Sequence, residues 1–236
     1  RYVRRGKRRG VADCYKNTGV ACRGLGRDDE AIAHYTHALE VYGELGLTEE
    51  QAGCWTNLGV AHASLGEYQT AIGYYEQAMA VYEAGGQEEE EAACHQNLGV
   101  AYKELGQIDR AIERFERALK VFEGLGLDRE QADCWVNIGT AHGRAGRHGT
   151  AAAFYLKALG TYLRLGLERE TARCRMNLAT SYIDLRDYRQ AEEHCQAALA
   201  VYEKLGLARE QADCWMNIGI AQRGRGDPEG SLDALQ

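Results

Sequence analysis

The sequence predicts an all-α protein, a right-handed superhelical solenoid of antiparallel helix pairs. Three observations predict this class. Six cysteines, from Cys14 to Cys214, and six asparagines, from Asn17 to Asn217, each recur every 40 residues. Each 40-residue unit holds two stretches with apolar residues at spacings of three and four, the period of an amphipathic helix, and none shows the alternation of a strand. One proline against 28 glycines indicates helices joined by glycine turns.

The repeats can be placed to the residue, because segments 130–139 and 210–219 differ at a single position. This register predicts the following repeats: 7–46, 47–86, 87–126, 127–166 and 167–206, then a partial sixth repeat over 207–236. Gly6 aligns with Gly46, so residues 1–6 are predicted to be the tail of a preceding repeat helix. Neither end has a polar capping helix, so we expect the protein to continue at both ends or to self-associate through its truncated ends.

Each repeat is predicted to hold two helices, and the third repeat illustrates both. The apolar residues of 88–105 lie at helical spacing and predict the first helix, and those of 108–125 predict the second. At the junction to the next repeat, Gly126 is expected to end the helix in the left-handed conformation. Asp128 is expected to cap the following helix, with Gln131 reciprocating.

Small residues predict how the two helices fit together. Glycine recurs at one position of the first helix, for example Gly99, and alanine columns recur on the second helix, where aromatic columns such as that of Phe115 are expected to fill the gaps between layers. A glycine inside a helix costs up to about 1 kcal/mol relative to alanine, so its recurrence predicts a close approach. The fifth repeat departs from this pattern: Ala179 replaces the glycine, Cys195 the aromatic residue and Arg186 the turn glycine.

The cysteines are predicted to be free thiols rather than a disulfide framework. Equivalent positions of stacked repeats lie about a repeat width apart, whereas a disulfide needs Cα atoms within ~7 Å. We therefore expect small buried thiols in a reducing compartment, and we expect the protein to be cytoplasmic.

Charge and hydropathy exclude two classes of partner. The net charge is −7, although six of the basic residues lie in the first nine positions, so the rest of the chain is more acidic still. Such a surface repels polyphosphate, and we do not expect nucleic acid as a partner. No stretch approaches the ~18 uninterrupted apolar residues of a membrane span.

These repeats resemble the tetratricopeptide repeat (TPR) family over essentially the whole chain. The second repeat carries the resemblance in Trp55, Leu58, Gly59, Ala71, Tyr75 and Ala78. The 40-residue, Asn-bearing unit is similar to the arrays of the LGN/Pins polarity adaptors and, more loosely, of kinesin light chains. The family's frequent proline at the end of the second helix is missing throughout.

The resemblance implies a non-catalytic protein–protein interaction scaffold. In similar arrays the first helices line a concave groove, where Asn hydrogen-bonds the main chain of an extended peptide through its amide. The alternative that Asn bridges neighbouring helices and is purely structural stays open. The predicted peptide-binding asparagines are Asn17, Asn57, Asn97, Asn137, Asn177 and Asn217.

Residues one or two turns further along the same helix face are predicted to share the groove. They form an apolar to hydroxylic column and a basic set: Val20, Val60, Val100, Thr140, Thr180 and Ile220, with Arg23, Lys103, Arg144 and Arg223. This combination suggests a partner peptide with hydrophobic anchors and acidic residues. Acidic residues near the same surface make the groove mixed in charge: Asp13, Asp133, Asp213, Glu104 and Asp184.

The sequence gives no pattern typical of an enzyme. His34 and His37 lie three apart on one helix, but no third metal ligand lies at a useful spacing. Segment 143–150 looks like a phosphate loop but lacks the lysine and follows a helix. We expect no catalysis, no cofactor and no small-molecule substrate. A second hypothesis is a regulatory or dimerising domain of a larger signalling or transcriptional protein, whose own segment occupies the groove.

Overall fold

The computed structural model describes the backbone of residues 2–226 and the side chains of residues 6–226. Within that range the chain has eleven α-helices and no β-strand, so the predicted all-α fold class is confirmed. The helices are α1 (Tyr2–Gly24), α2 (Asp28–Leu45), α3 (Thr48–Ser64), α4 (Tyr68–Gly85), α5 (Glu88–Glu104), α6 (Ile108–Leu125), α7 (Asp128–Arg144), α8 (His148–Arg164), α9 (Glu168–Asp184), α10 (Tyr188–Leu205) and α11 (Ala208–Gly224).

The chain forms two compact units, Arg1–Val121 and Phe122–Gln236. In unit 1 each helix from α1 to α4 packs on the next helix along the chain. In unit 2 each helix from α7 to α10 does the same. Odd-numbered helices are the first helices of the repeats and even-numbered ones the second. Alanine and aromatic columns fill the space between them, with Ala38, Tyr42 and Cys54 fully buried in unit 1 and Ala158 and Tyr162 in unit 2.

Glycine at one first-helix position lets an aromatic ring of the second helix lie directly on the helix backbone. A Cβ atom placed on Gly99 would lie 2.5 Å from the ring of Phe115, and one on Gly59 would lie 2.5 Å from Tyr75. These distances are far shorter than a carbon–carbon contact, so the position tolerates no side chain while the ring is present. In the fifth repeat, the pair is Ala179 with the small Cys195, both fully buried. The two departures from the pattern therefore compensate each other.

The helix junctions use left-handed residues, as predicted. Gly46 ends α2 with φ of 65°, and its N–H and that of Leu47 donate to the carbonyls of Gly43 and Tyr42, both at 3.0 Å. These bonds satisfy two carbonyls at the helix end. Arg186, in the turn between α9 and α10, adopts the same conformation with φ of 60°. A non-glycine residue there costs about 1–2 kcal/mol.

The predicted capping of α7 is wrong. The residue before the helix is Leu127, which makes no side-chain cap, and Asp128 is already the first helical residue. The Asp128 carboxylate accepts instead from Arg164 at 2.7 Å. Gln131 Nε2 donates to the carbonyl oxygen of Phe122 at 3.1 Å, so it satisfies the end of α6 rather than the start of α7. Because the turn consists only of Gly126 and Leu127, Asp128 is the first helical residue and not the N-cap residue that a capping box requires.

The predicted boundary at residue 6 is not a turn in the structure. Helix α1 runs without a break through Tyr2–Gly24, so residues 2–6 belong to the first helix of repeat 1 and not to a separate, preceding helix.

Candidate functional site

The six asparagines form a row on the first helices of each unit. These helices contact one another directly: α1 with α3 and α3 with α5 in unit 1, and α7 with α9 and α9 with α11 in unit 2. A position that recurs every 40 residues therefore lies at equivalent places on adjacent helices. We call the surface around this row the Asn face of each unit. It holds Asn17, Asn57 and Asn97 in unit 1 and Asn137, Asn177 and Asn217 in unit 2.

The asparagine side chains are accessible and unpaired. Asn17 is exposed and the other five are half-buried. None of the six makes a side-chain hydrogen bond to any residue that the structure describes. The amides therefore do not bridge neighbouring helices in this structure. Each keeps one acceptor oxygen and one NH₂ donor group for another molecule.

The two Asn faces differ in the row that lies three residues after each asparagine. In unit 1 this row consists of valines, and Val20 is 43% exposed while Val60 and Val100 are half-buried. In unit 2 it includes Thr140, which is half-buried, and Thr180, which is exposed. Both threonine hydroxyls donate to the carbonyl four residues earlier, at 2.8 Å and 3.1 Å, and keep an acceptor lone pair free. Unit 1 therefore presents an apolar strip, whereas the row of unit 2 combines two hydroxyls with the half-buried, apolar Ile220.

The four predicted basic residues are not equivalent. The Lys103 side chain is only 11% exposed, and its Nζ lies 3.5 Å from the carboxylate of Glu104. The Lys103 ammonium is therefore largely shielded from solvent and already paired with a carboxylate, so it does not offer its charge to a ligand as expected. Arg23 is half-buried with its Nε unpaired, whereas Arg144 and Arg223 are exposed.

Four predicted site residues meet in one pocket of unit 2, between α7, α8 and α9. They are Thr140, Arg144, Asn177 and Thr180, and the cavity has a volume of about 300 Å³. We call it the Thr140 pocket. Two other cavities in the described part of the chain are lined by none of the predicted site residues.

Two departures from the repeat pattern line the Thr140 pocket. Gly143 has no side chain, whereas the equivalent residues of the third and fifth repeats are Lys103 and Ile183. Ser181 replaces an alanine that recurs in the other repeats, and it is only 4% exposed. His148 and Asp184 lie on the same wall, with Nδ1 of the histidine 3.1 Å from Oδ2 of the carboxylate. The wall of the pocket thus carries side chains of both charge signs.

A second pocket of unit 2 was not predicted. It has a volume of about 290 Å³ and is lined by Arg169, Glu170, Arg173, Tyr202 and Glu210 of α9, α10 and α11. We call it the Tyr202 pocket. Arg173 lies one helical turn before the asparagine of α9, so this pocket adjoins the Asn face of unit 2. The sequence did contain a signal for this pocket, because the position that Arg173 occupies in repeat 5 holds an aspartate in repeats 1, 4 and 6.

The free side of α1 carries an apolar cavity. Its volume is about 520 Å³, and it is lined in part by Val11, Cys14 and Tyr15. Among the described residues no helix covers this side, so Cys14 is exposed although its equivalents Cys54 and Cys94 are fully buried. The difference makes Cys14 chemically distinct from the rest of the cysteine column.

We expect iodoacetamide at pH 8 to modify a single thiol of the folded chain, Cys14. All eight cysteines are free thiols and the other seven are buried. Burial also raises the pKa of Cys54 to about 11 and that of Cys174 to about 12, so both stay protonated. Mass spectrometry after brief labelling should show one adduct, none in Cys14→Ser, and eight in denaturant. Two or more adducts on the folded chain would contradict the burial of the column.

The histidine pair shows no metal-site geometry. Among residues 6–226 no three His, Cys, Asp or Glu side chains are arranged to hold a metal ion. His34 and His37 lie instead beside the Tyr15 ring, at centroid distances of 6.0 Å and 5.3 Å. Nor does any helix in the described part of the chain combine the length and the apolar character needed to cross a bilayer.

Comparison with protein families identifies the repeats. A model of the tetratricopeptide repeat family matches residues 50–124 and 168–236, and a second tetratricopeptide repeat model matches residues 97–162. No curated protein was found with a matching sequence.

Solved structures share the fold at low sequence identity. BtubC (BKLC) from P. vanneervenii has a TM-score of 0.75 at 21% identity, over 86% of each chain. A Rap protein complexed with Competence and Sporulation Factor has a TM-score of 0.77 at 16% identity, over 93% of this chain and 61% of that one. A putative kinesin light chain from P. anserina, with nearly identical TPR-like repeats, has a TM-score of 0.68 at 16% identity, over 82% of this chain and 95% of that one.

Proposed function

The chain belongs to the tetratricopeptide repeat family, and on that premise we propose that it is a non-catalytic protein–protein interaction scaffold. Its ligand is an extended peptide segment of a partner protein, held along the Asn face. The free thiols fit a reducing, cytoplasmic setting.

The observation that carries this proposal is the row of unpaired amides. Six asparagines recur in one register, remain partly accessible and make no hydrogen bond within the described chain. Asparagine is a mediocre helix former, so helix stability does not explain its recurrence. An amide offers a donor and an acceptor side by side, the complement of one peptide group. A row of them suits a main chain in extended conformation, whatever its sequence.

The neighbouring rows give the bound segment its side-chain preference. The valines of unit 1 accept apolar side chains, and Val20 already exposes 43% of its surface. In unit 2 the Thr140 pocket offers hydroxyl oxygens and the exposed guanidinium of Arg144. We therefore propose that a segment bound on unit 1 carries apolar residues and that a segment bound at the Thr140 pocket of unit 2 carries polar or acidic residues.

Relatives of the same fold support this direction. The Rap protein was solved in complex with Competence and Sporulation Factor, so a chain of this fold takes up a bound factor. We also propose that the repeats are of the 40-residue, Asn-bearing type of the LGN/Pins adaptors, because both the 40-residue period and the asparagine recur along the chain.

Peptide selection tests the proposal. A phage-displayed library of random twelve-residue peptides is passed over the immobilised chain, and the enriched peptides are measured by fluorescence anisotropy. We expect Asn97→Ala combined with Asn137→Ala to weaken binding by roughly 10–100-fold, because each change removes hydrogen bonds worth about 1 kcal/mol each. The control combines Gln69→Ala with Gln77→Ala, two exposed amides on α4, and should bind as the wild type does. Equal affinity of both double variants would refute a role for the Asn face.

A further inference from the structure

The first and fourth repeats each contain an internal carboxylate site. Tyr42 OH donates to Asp13 Oδ1 at 2.6 Å, and Tyr162 OH donates to Asp133 Oδ1 at 2.6 Å. In both repeats the tyrosine lies near the end of the second helix and the aspartate on the first helix, at equivalent positions of the 40-residue register. In these two repeats the tyrosine hydroxyl therefore holds a carboxylate, whereas the second repeat has Tyr82 and Gly53 at the same positions.

The fifth repeat keeps the tyrosine and replaces the carboxylate with a cation. Tyr202 and Arg173 occupy the two equivalent positions. Tyr202 is 4% exposed, and its hydroxyl donates to no residue among those that the structure describes. The third repeat also lacks the carboxylate, because Ala93 is at the position of Arg173. It has Phe122 at the position of Tyr202, so it has no hydroxyl that needs an acceptor. The retained hydroxyl of the fifth repeat is without its usual partner.

The space in front of this hydroxyl is the Tyr202 pocket, and its cations are loosely held. The Arg173 side chain is 61% exposed and lies 3.9 Å from Asp133, and that of Arg169 is 70% exposed and lies 3.9 Å from Glu210. These separations exceed those of a direct hydrogen bond. Burial raises the pKa of Tyr202 to about 12, and the two guanidinium groups act on it in the opposite direction, as nearby cations do. The pocket thus combines three donors with two carboxylates, of which Glu170 is paired with Arg129 at 3.1 Å and Glu210 lies 3.9 Å from Arg169.

We propose that the Tyr202 pocket binds the carboxylate of an acidic side chain in the partner peptide. The carboxylate accepts from Tyr202 OH, as Asp133 accepts from Tyr162, and the Arg173 guanidinium adds a charge-assisted, bidentate contact. The inference rests on the proposed function, because a peptide that contacts Asn177 passes Arg173 one helical turn away on the same face of α9.

A single-residue probe tests the pocket without relying on the Asn face. The probe is N-acetyl-aspartate N-methylamide, titrated into the full chain while the arginine Nε–H and tyrosine ring signals are followed by NMR. We expect the signals of Arg173, Arg169 and Tyr202 to shift with one binding curve. N-acetyl-asparagine N-methylamide, which lacks the charge, and inorganic phosphate, which lacks the planar shape, should each bind at least about tenfold more weakly.

Variants separate a binding role from a structural one. Tyr202→Phe keeps the buried ring and should weaken the probe about tenfold, and Arg173→Glu should abolish the titration. Arg189→Glu removes an exposed arginine on α10 and should leave the titration unchanged. Unfolding curves of all three variants establish that they are folded. The proposal is overturned if the aspartate probe gives no titration, if the asparagine probe or phosphate binds equally well, or if Tyr202→Phe has no effect. Peptide selection that fails while this titration succeeds refutes the proposed function alone.

Discussion

Replacing Gly99 by alanine is expected to lower the free energy of unfolding by about 2 kcal/mol, although alanine is the better helix former. The added Cβ would lie 2.5 Å from the ring of Phe115, a side chain with no exposed surface into which it could move. Overpacking of this kind costs about 1–3 kcal/mol and outweighs the gain in helix propensity. Urea-induced unfolding followed by circular dichroism measures the difference.

A matched glycine gives the opposite sign. Gly53 lies inside α3, and a Cβ added there would meet nothing within 4 Å, so Gly53→Ala should stabilise the chain by up to about 1 kcal/mol. In a Phe115→Cys background, which imitates the Ala179–Cys195 pair, Gly99→Ala should be neutral or stabilising. If Gly99→Ala destabilises as much in that background as in the wild type, the ring contact is not the cause of the glycine column.

Lowering the pH from 6.5 to 4 should destabilise the wild type by about 3 kcal/mol more than it destabilises His95→Gln. His95 is 5% exposed, and burial, with help from Arg114 and Arg117, lowers its pKa from 6.5 to about 4. Glu113 raises the pKa of His95 but does not reverse the shift. Glu91 also favours the charged imidazolium, since its Oε1 lies 3.7 Å from Nε2 of His95. Between these pH values the unfolded chain binds a proton that the folded chain excludes, so stability falls as the pH falls. Below pH 4 both states are protonated and the difference stays constant.

Urea unfolding of both proteins at pH 7, 5.5 and 4 measures this effect. The control is His37→Gln, since the His37 side chain is 60% exposed and its removal should leave the wild-type pH dependence in place. Parallel curves for wild type and His95→Gln would show that the folded and unfolded chains bind a proton at His95 equally well, which contradicts the lowered pKa.

The fold could be predicted because periodicity reports on packing that every repeat shares. Glycine on one helix and alanine on the other, repeated in register, are enough to predict that the two helices approach closely, and the structure adds that the Phe115 ring lies on Gly99. The cap of α7 could not be predicted as well, because an aspartate three residues before a glutamine reads the same whether it precedes the helix or begins it. Only the turn at Gly126 decides, and it makes Asp128 helical.

The candidate site was predictable only where it repeats. The Asn row could be predicted from the 40-residue period. The two pockets could not, because residues that differ from the equivalent residues of other repeats line them. Gly143 acts through a side chain that is absent, and its effect depends on the helices that surround it. The burial of Lys103 likewise depends on the helices packed around α5. The importance of Arg173 could not be predicted, because it depends on the hydrogen bond from Tyr162 to Asp133. Only this bond shows that the equivalent residue of repeat 4 accepts from a tyrosine hydroxyl.

Selective isotope labelling tests most directly whether the Asn side chains bind the main chain of a partner segment. The chain has six asparagines, all on the two Asn faces, so ¹⁵N-labelling of asparagine gives six side-chain NH₂ groups to follow by NMR. On addition of a peptide from the selection, we predict that the NH₂ signals of adjacent asparagines shift together, in saturation with the fluorescence binding curve. A peptide that binds with full affinity while all six NH₂ groups keep their signals would contradict the account.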